Sequence, residues 1–228
     1  MKGFASQKTK TKIVRTALRL FVRRGYHGTS IASISAAANL TKGAIYFHFK
    51  NKDALLKRIL EEFDQMFLQK AIEEVAKVSG GGLDKLHHFL RFASNYAAKN
   101  SDVCLCLTAL STELCGSTSK KQEKWIKEVY SRYHQFIAEL LEEGKEDGSF
   151  REDLDPHIAA MILVGANDGN LLQWNANRNE IDGEVYARSL LKFLLSGICK
   201  QKYRISPTHG GARRKRSPER HRLRLDPG

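Results

Sequence analysis

Apolar residues recur every three or four positions over almost the whole chain, the period of a helix with one buried face. Ile13, Ala17 and Phe21, flanked by Val14, Leu18 and Val22, predict a first helix from about Lys8 to Arg24, stopped at Gly25. A long helix follows from about Asp53 to Val78. It ends in Ser79-Gly80-Gly81-Gly82, a break that predicts a hinge. Leu86, Phe89, Leu90, Ala93 and Tyr96 mark a helix over 83–99, and Val103 to Leu114 is short and nearly continuously apolar. Trp125, Val129, Tyr133, Phe136 and Leu140 step along a long amphipathic helix from Ser119 to Glu146. Asp155-Pro156 opens another helix running to about Trp174, and the last spans about Gly183 to Cys199. Alternation of the strand type is almost absent, so the fold class is all-α.

The stretch 29–52, between the first and the long helix, reads differently. Thr29 or Ser30 can cap a short helix, because a side-chain oxygen accepts an orphan N–H of its first turn. Ile31, Ile34 and Ala38 share its apolar face, with Ser33 and Ser35 off it. Asn39 tolerates the left-handed backbone of a sharp turn, Leu40 plugs the turn, and Thr41 caps a second short helix. Ala44, Ile45 and Phe49 can face inward there, leaving Lys42, Gly43, Tyr46 and His48 outside. Two short helices, a tight turn and polar groups at the front of the second helix form a helix-turn-helix pattern of the DNA-reading kind.

Thr29, Ile34, Ala38, Thr41, Gly43, Ile45, Tyr46, His48, Phe49 and Lys52 fall in the order found in one family. The run resembles the N-terminal DNA-binding domain of the TetR-type transcriptional regulators. It departs at Ser35, where Ala is usual, and at Asn39, where Gly is usual; Asn meets the same backbone need. The resemblance implies a three-helix helix-turn-helix DNA-binding domain, residues 1–52, followed by a helical ligand-binding and dimerisation domain, residues 53–202. The DNA-facing set is then Thr29, Thr41, Lys42, Gly43, Tyr46, His48 and Lys52. Tyr46 and Lys52 are expected on phosphates, and His48 enters by resemblance alone.

Charge divides the chain in the same way. Residues 1–58 carry 13 Lys and Arg against Asp53 alone, a net of +12; residues 59–199 carry 15 against 22 acids, a net of −7. Residues 200–228 carry 10 against 2, a net of +8. A basic head on an acidic body suits phosphate binding better than general solubility.

The last two predicted helices are apolar over more than one face, through Ile158, Met161, Ile162, Leu190, Leu194 and Ile198. They can fill a monomer's core or pair with a second copy as a four-helix bundle. The family resemblance implies the homodimer, with Gly165 allowing close approach. A two-fold pair also sets two reading helices one DNA turn, ~34–36 Å, apart.

The resemblance further implies that the helices from Asp53 to Trp174 enclose a pocket for a small-molecule effector. Candidate lining is Phe63, Met66, Phe67, Phe89, Phe92, Tyr96, Trp125, Tyr130 and Trp174, with Asn167 and Asn170 as polar anchors. Aromatics at helical spacing can equally be core. Cys106 lies in a stretch faintly like that of electrophile-responsive members, so it is either a thiol sensor or a small buried apolar residue. The four cysteines have no chelating or disulfide spacing, and no metal or cofactor is expected.

From Tyr203 onward the chain turns Pro-, Gly- and Arg-rich without apolar periodicity, which predicts a disordered basic tail over 203–228. It either adds nonspecific DNA affinity or is an accidental extension. No phosphate-binding Gly loop, His-Glu-x-x-His or Gly-x-Ser-x-Gly is present, so an enzyme is not expected. No apolar run reaches the ~18 residues of a membrane span, and no secretory signal opens the chain; a cytoplasmic protein is expected. The sequence reads as a ligand-responsive regulator of operator DNA, a repressor before an activator. The other reading is a helical adaptor whose basic head binds RNA or an acidic protein.

Overall fold

A computed structural model describes residues 2–116, 120–177 and 179–200, with the side chains of 2–5 excepted. The expected disordered tail lies outside the described residues. Among the described residues ten α-helices follow one another: α1 (Lys2–Arg24), α2 (Ile31–Ala37), α3 (Lys42–His48), α4 (Lys52–Phe63), α5 (Gln69–Val75), α6 (Gly82–Lys99), α7 (Ser101–Leu114), α8 (Lys120–Glu146), α9 (Pro156–Asn177) and α10 (Gly183–Ile198). The only β pairing among the described residues is an isolated bridge between Phe150 and Cys199.

Local chemistry sets the ends. Asn51 Oδ1 accepts the Ala54 N–H at 2.9 Å and starts α4, with Asp53 in the first turn where the helix dipole favours an acid. Asp155 Oδ1 accepts the Ile158 N–H at 3.0 Å, and Pro156 supplies the first helical residue of α9. Asp182 accepts from Glu184 and Val185 and caps α10. α1 begins at Lys2, earlier than the apolar period indicated.

The long helix predicted from Asp53 runs through α4 and α5 but carries a π turn at Asp64–Leu68 between them. Such a turn inserts one residue and rotates the faces on either side. Here it leaves Phe67 and Leu68 buried and Met66 exposed.

The Gly80–Gly82 break, where a hinge is expected, is held against α8. Gly82 N donates to Asp147 Oδ2 at 2.7 Å. A Cβ on Gly82 would collide with the backbone of Gly144, and one on Gly144 with the Phe150 ring. The glycines are there so that α6 and α8 can touch backbone to backbone.

One apolar cluster runs from Ile13, Val14, Ala17 and Phe21 of α1, through Leu55, Leu56 and Ile59 of α4, to Leu191 and Leu195 of α10. α1 lies along α7, and α9 along α8, so the core does not divide at residue 52. One face of α9 and α10 stays bare: Ile158, Met161, Ile162 (63% exposed) and Leu172 on α9, Val185 and Phe193 (77%) on α10. Gly165, Gly169 and Gly197 have open space above them. Of the residues predicted for self-association, Ile158, Met161, Ile162 and Gly165 lie on this face. Leu190 and Leu194 are half-buried, and Ile198 is a correction, since it turns into its own core at 8% exposure. Phe193, apolar in a helix expected to self-associate, lies on this face as well.

Candidate nucleic-acid interface and effector cavities

Ser30 Oγ accepts the Ser33 N–H at 3.1 Å while Ser33 Oγ accepts the Ser30 N–H at 3.0 Å, a reciprocal capping box that starts α2. Asn39 takes the left-handed conformation, φ +50°, and Leu40 N donates to Ser35 O at 2.9 Å. Thr41 Oγ1 then accepts the Ala44 N–H at 3.1 Å and opens α3. Ile34, Ala38 and Ile45 are wholly buried, with Phe49 close behind. That inner face fixes the outer one. Lys42, Gly43, Tyr46 (54% exposed) and Phe47 (80%) face solvent, and half-buried His48 meets Phe47 edge-on at 5.1 Å.

Gly43 is informative because nothing inside the protein requires it. A Cβ there would meet only Thr41 Oγ1, at 3.8 Å, while Gly in a helix costs about 1 kcal/mol relative to Ala. A bare backbone at the front of α3 lets an outside partner approach closely. Phe47 was not among the predicted contacts; the core leaves out both successive aromatics, Tyr46 and Phe47.

Thr29 and Lys52 sit elsewhere than predicted. Thr29 is buried, its hydroxyl donating to Gly25 O at 2.8 Å. Lys52 Nζ donates to Tyr26 O at 2.6 Å and Thr29 O at 2.8 Å and lies over the Tyr26 ring at 4.1 Å. Both hold the α1–α2 turn rather than face outward. The body grips the same turn. Glu113 of α7 accepts from Tyr26 N (2.5 Å) and His27 N (2.8 Å). Tyr26 Oη donates to Asp53, which also accepts from Gln122 Nε2 of α8 at 2.8 Å. Burial alone would raise the Asp53 carboxyl, but hydrogen bonds from Tyr26, Gln122 and Lys121 hold it below its ordinary range.

The residues predicted to line a pocket separate into distinct places. Phe67 centres a close-packed aromatic group, with ring centroids 5.0 Å from Phe63 and Tyr96, 5.5 Å from Tyr133, 6.0 Å from Phe92 and 6.4 Å from Phe89. Phe63 and Phe89 are simply core. Phe92 and Tyr96 form the wall of a cavity of about 540 Å³ between α1, α4, the π turn and α6, which Met66 also lines. A second space of about 100 Å³ lies between α6, α9 and α10 and gathers Asn167, Asn170 and Trp174 with Tyr186. Tyr186 Oη donates to Asn170 Oδ1 at 2.7 Å, and the Trp174 Nε1–H is buried without an acceptor among the described residues.

Tyr130 lies apart from both cavities, its hydroxyl donating at 2.7 Å to Asp168 Oδ2. Burial raises the Asp168 carboxyl, against the Tyr130 hydrogen bond. Trp125 packs under Lys121, at 5.0 Å, and lines neither of these two but a third space of about 170 Å³ between α4, the π turn and α8. Cys106 is fully buried, and burial pushes its thiol up to about 12. A sensor cysteine needs an exposed, lowered thiol, so the electrophile-sensing reading of Cys106 is corrected to core. Among the described residues no group of His, Cys, Asp and Glu could hold a metal.

A capped reading helix on a basic head, above a helical body with cavities and a bare apolar face, defines a ligand-responsive helix-turn-helix regulator. Residues 13–59 match "Bacterial regulatory proteins, tetR family", and residues 79–198 match "Tetracyclin repressor-like, C-terminal domain". The chain is 27% identical over 187 residues to the fatty acid metabolism regulator protein of Bacillus subtilis (strain 168), covering 82% of this chain and 94% of that one. The crystal structure of the MbdR regulator from Azoarcus sp. CIB aligns with a TM-score of 0.75 at 32% identity, over 83% of this chain and 98% of that one. FadR from Bacillus subtilis, solved in complex with stearoyl-CoA, shares the fold with a TM-score of 0.67 at 24% identity, over 82% and 98%. The chain belongs to the TetR family. It is a DNA-binding transcriptional repressor that acts on operator DNA as a homodimer and responds to a small-molecule effector.

Proposed function

We propose that Thr41, Lys42, Gly43, Tyr46, Phe47 and His48 form the surface that meets operator DNA. Ile158, Met161, Ile162, Gly165 and Phe193 would seal the dimer, with Leu190 and Leu194 beneath. The observation that carries the DNA reading is the bare Gly43 backbone beside exposed Tyr46 and Phe47, on a helix whose other face is buried. Residues 1–52 form the reading head and 53–202 the effector and dimer body, with α4 joining them. The protein works in the cytoplasm by occupying DNA, without turnover; among the described residues no helix is long and apolar enough to cross a membrane.

The effector we infer is an acyl thioester. Support comes from the likeness to a fatty acid metabolism regulator and to a regulator solved with stearoyl-CoA. Release follows if the effector binds better to the arrangement in which the two heads no longer match DNA spacing.

Footprinting the DNA upstream of the protein's own gene tests the first part. A protected palindrome with half-sites about one helical turn apart is expected, and uniform weak protection would reject it. Adding stearoyl-CoA or butyryl-CoA tests the second part, with loss of the footprint as the expected result.

A further inference from the structure

We propose that the cavity between α1 and α6 holds the phosphorylated head of the effector, clamped by Arg15, Lys70 and Lys99. This rests on the acyl-thioester reading and adds where that molecule binds and how it reaches the DNA-reading head.

Size and lining together are the first reason. At about 540 Å³ the cavity falls within the ~300–1,000 Å³ of small-molecule sites, whereas the space beside Trp174, about 100 Å³, does not, and a space of about 470 Å³ along α8 is lined by polar and charged side chains alone. Charge is the second. Residues 59–199 carry a net of −7, and many of their cations are neutralised locally. Lys77, Lys85, Lys121, Arg132 and Arg188 each hold an acid. Arg15, Lys70 and Lys99 are exposed at the rim of one cavity, and no acid among the described residues lies in an ion pair with any of them. The acid on that rim, Glu62, is engaged with Arg58 at 3.0 Å. Three uncompensated cations around one opening favour a polyanion over a single carboxylate, and a guanidinium can bind a phosphate through two parallel hydrogen bonds.

The wall is the third reason. Half-exposed Met66 and partly buried Phe92 and Tyr96 line the cavity below the cations. Met66 faces it because the π turn shifts the helix register there, and a thioether adapts to differently shaped apolar groups. A cationic rim over an apolar wall matches a molecule with a phosphate head and an apolar tail. The place is also mechanically apt. Arg15 is on α1, in the reading head, whereas Lys99 is on α6, in the body. An occupant touching both stabilises one setting of head against body, which is what differential binding requires.

The test is calorimetric titration of the full chain, wild type and the triple variant Arg15→Ala/Lys70→Ala/Lys99→Ala, with circular dichroism to check the fold. The probes are stearoyl-CoA, butyryl-CoA, free CoA and stearate. The triple variant is expected to lose at least about tenfold in affinity for both thioesters and less than about twofold for stearate. Equal thioester affinity in both proteins would overturn the clamp while leaving the thioester reading intact. Loss for stearate as large as for stearoyl-CoA would overturn a phosphate-specific clamp. Wild-type protein that binds neither thioester would remove the effector reading, and the clamp with it.

Discussion

Lys52 directs its charge inward, to the carbonyls of Tyr26 and Thr29, while Phe47 directs an uncharged ring outward. Opposite defects follow. Lys52→Ala removes two charge-assisted hydrogen bonds and is expected to lower unfolding free energy by about 1.5–3 kcal/mol in urea titrations. Phe47→Ala touches no core and should leave stability within about 0.5 kcal/mol of wild type. Its operator affinity should fall about tenfold, or 1.4 kcal/mol, by fluorescence anisotropy, through loss of an apolar contact of the kind made with thymine methyls. The reverse pattern would disprove both roles.

Asp168 makes a prediction with a definite sign. Burial raises its carboxyl in the folded state, so the native chain keeps a proton that the unfolded chain releases. Stability contributed at this site therefore falls as pH rises from the ordinary carboxylate range to the folded value, and stays reduced above it. Asp168→Asn removes the penalty and still offers Tyr130 an acceptor. Its melting temperature should exceed that of wild type at pH 7, and the gap should close below about pH 4. A lower melting temperature at pH 7 would contradict this account.

At the scale of elements, side-chain capping makes several helix starts readable. Thr41, Asn51, Asp155 and Asp182 act on backbone groups two or three residues away, so their effect is contained in a few residues of sequence. The π turn and the Gly80–Gly82 corner were not readable in that way, because each depends on what lies opposite. Gly144 shows the cost. A methyl group there meets the Phe150 ring, and Gly144→Ala should destabilise the protein by about 1–3 kcal/mol as overpacking, read as a lower urea midpoint with an unchanged slope. A tolerated alanine would mean that the α6–α8 corner can open and that the hinge reading deserves a return.

At the scale of the molecule, the bare face of α9 and α10 is what the homodimer must cover. Placing a charge at its centre, as in Ile162→Glu/Phe193→Glu, should leave the monomer fold intact because both side chains are exposed. Light scattering should then report a monomer at micromolar concentration. Operator binding should fall steeply, since one head reaches a single half-site. A dimer surviving that pair of charges would place the interface elsewhere. The same scale explains the clamp on the α1–α2 turn. Glu113 and Gln122 are separated from their partners by 86 or 87 and 69 residues, and they tie the reading head to α7 and α8 of the body.

The sequence alone determined the helical class, the order of the helices and the helix-turn-helix with its left-handed Asn39. Periodicity, capping and turn chemistry act over three to five residues and leave their mark in the order of residues. It also determined where charge gathers, since that is a sum along the chain. Only the tertiary structure decided that Lys52 and Thr29 face inward, that Cys106 is core, and that Trp125 stands apart from both cavities. It alone brought Arg15, Lys70 and Lys99 to one opening. Those outcomes depend on partners far away in sequence, and exposure is a property of what the rest of the chain leaves uncovered.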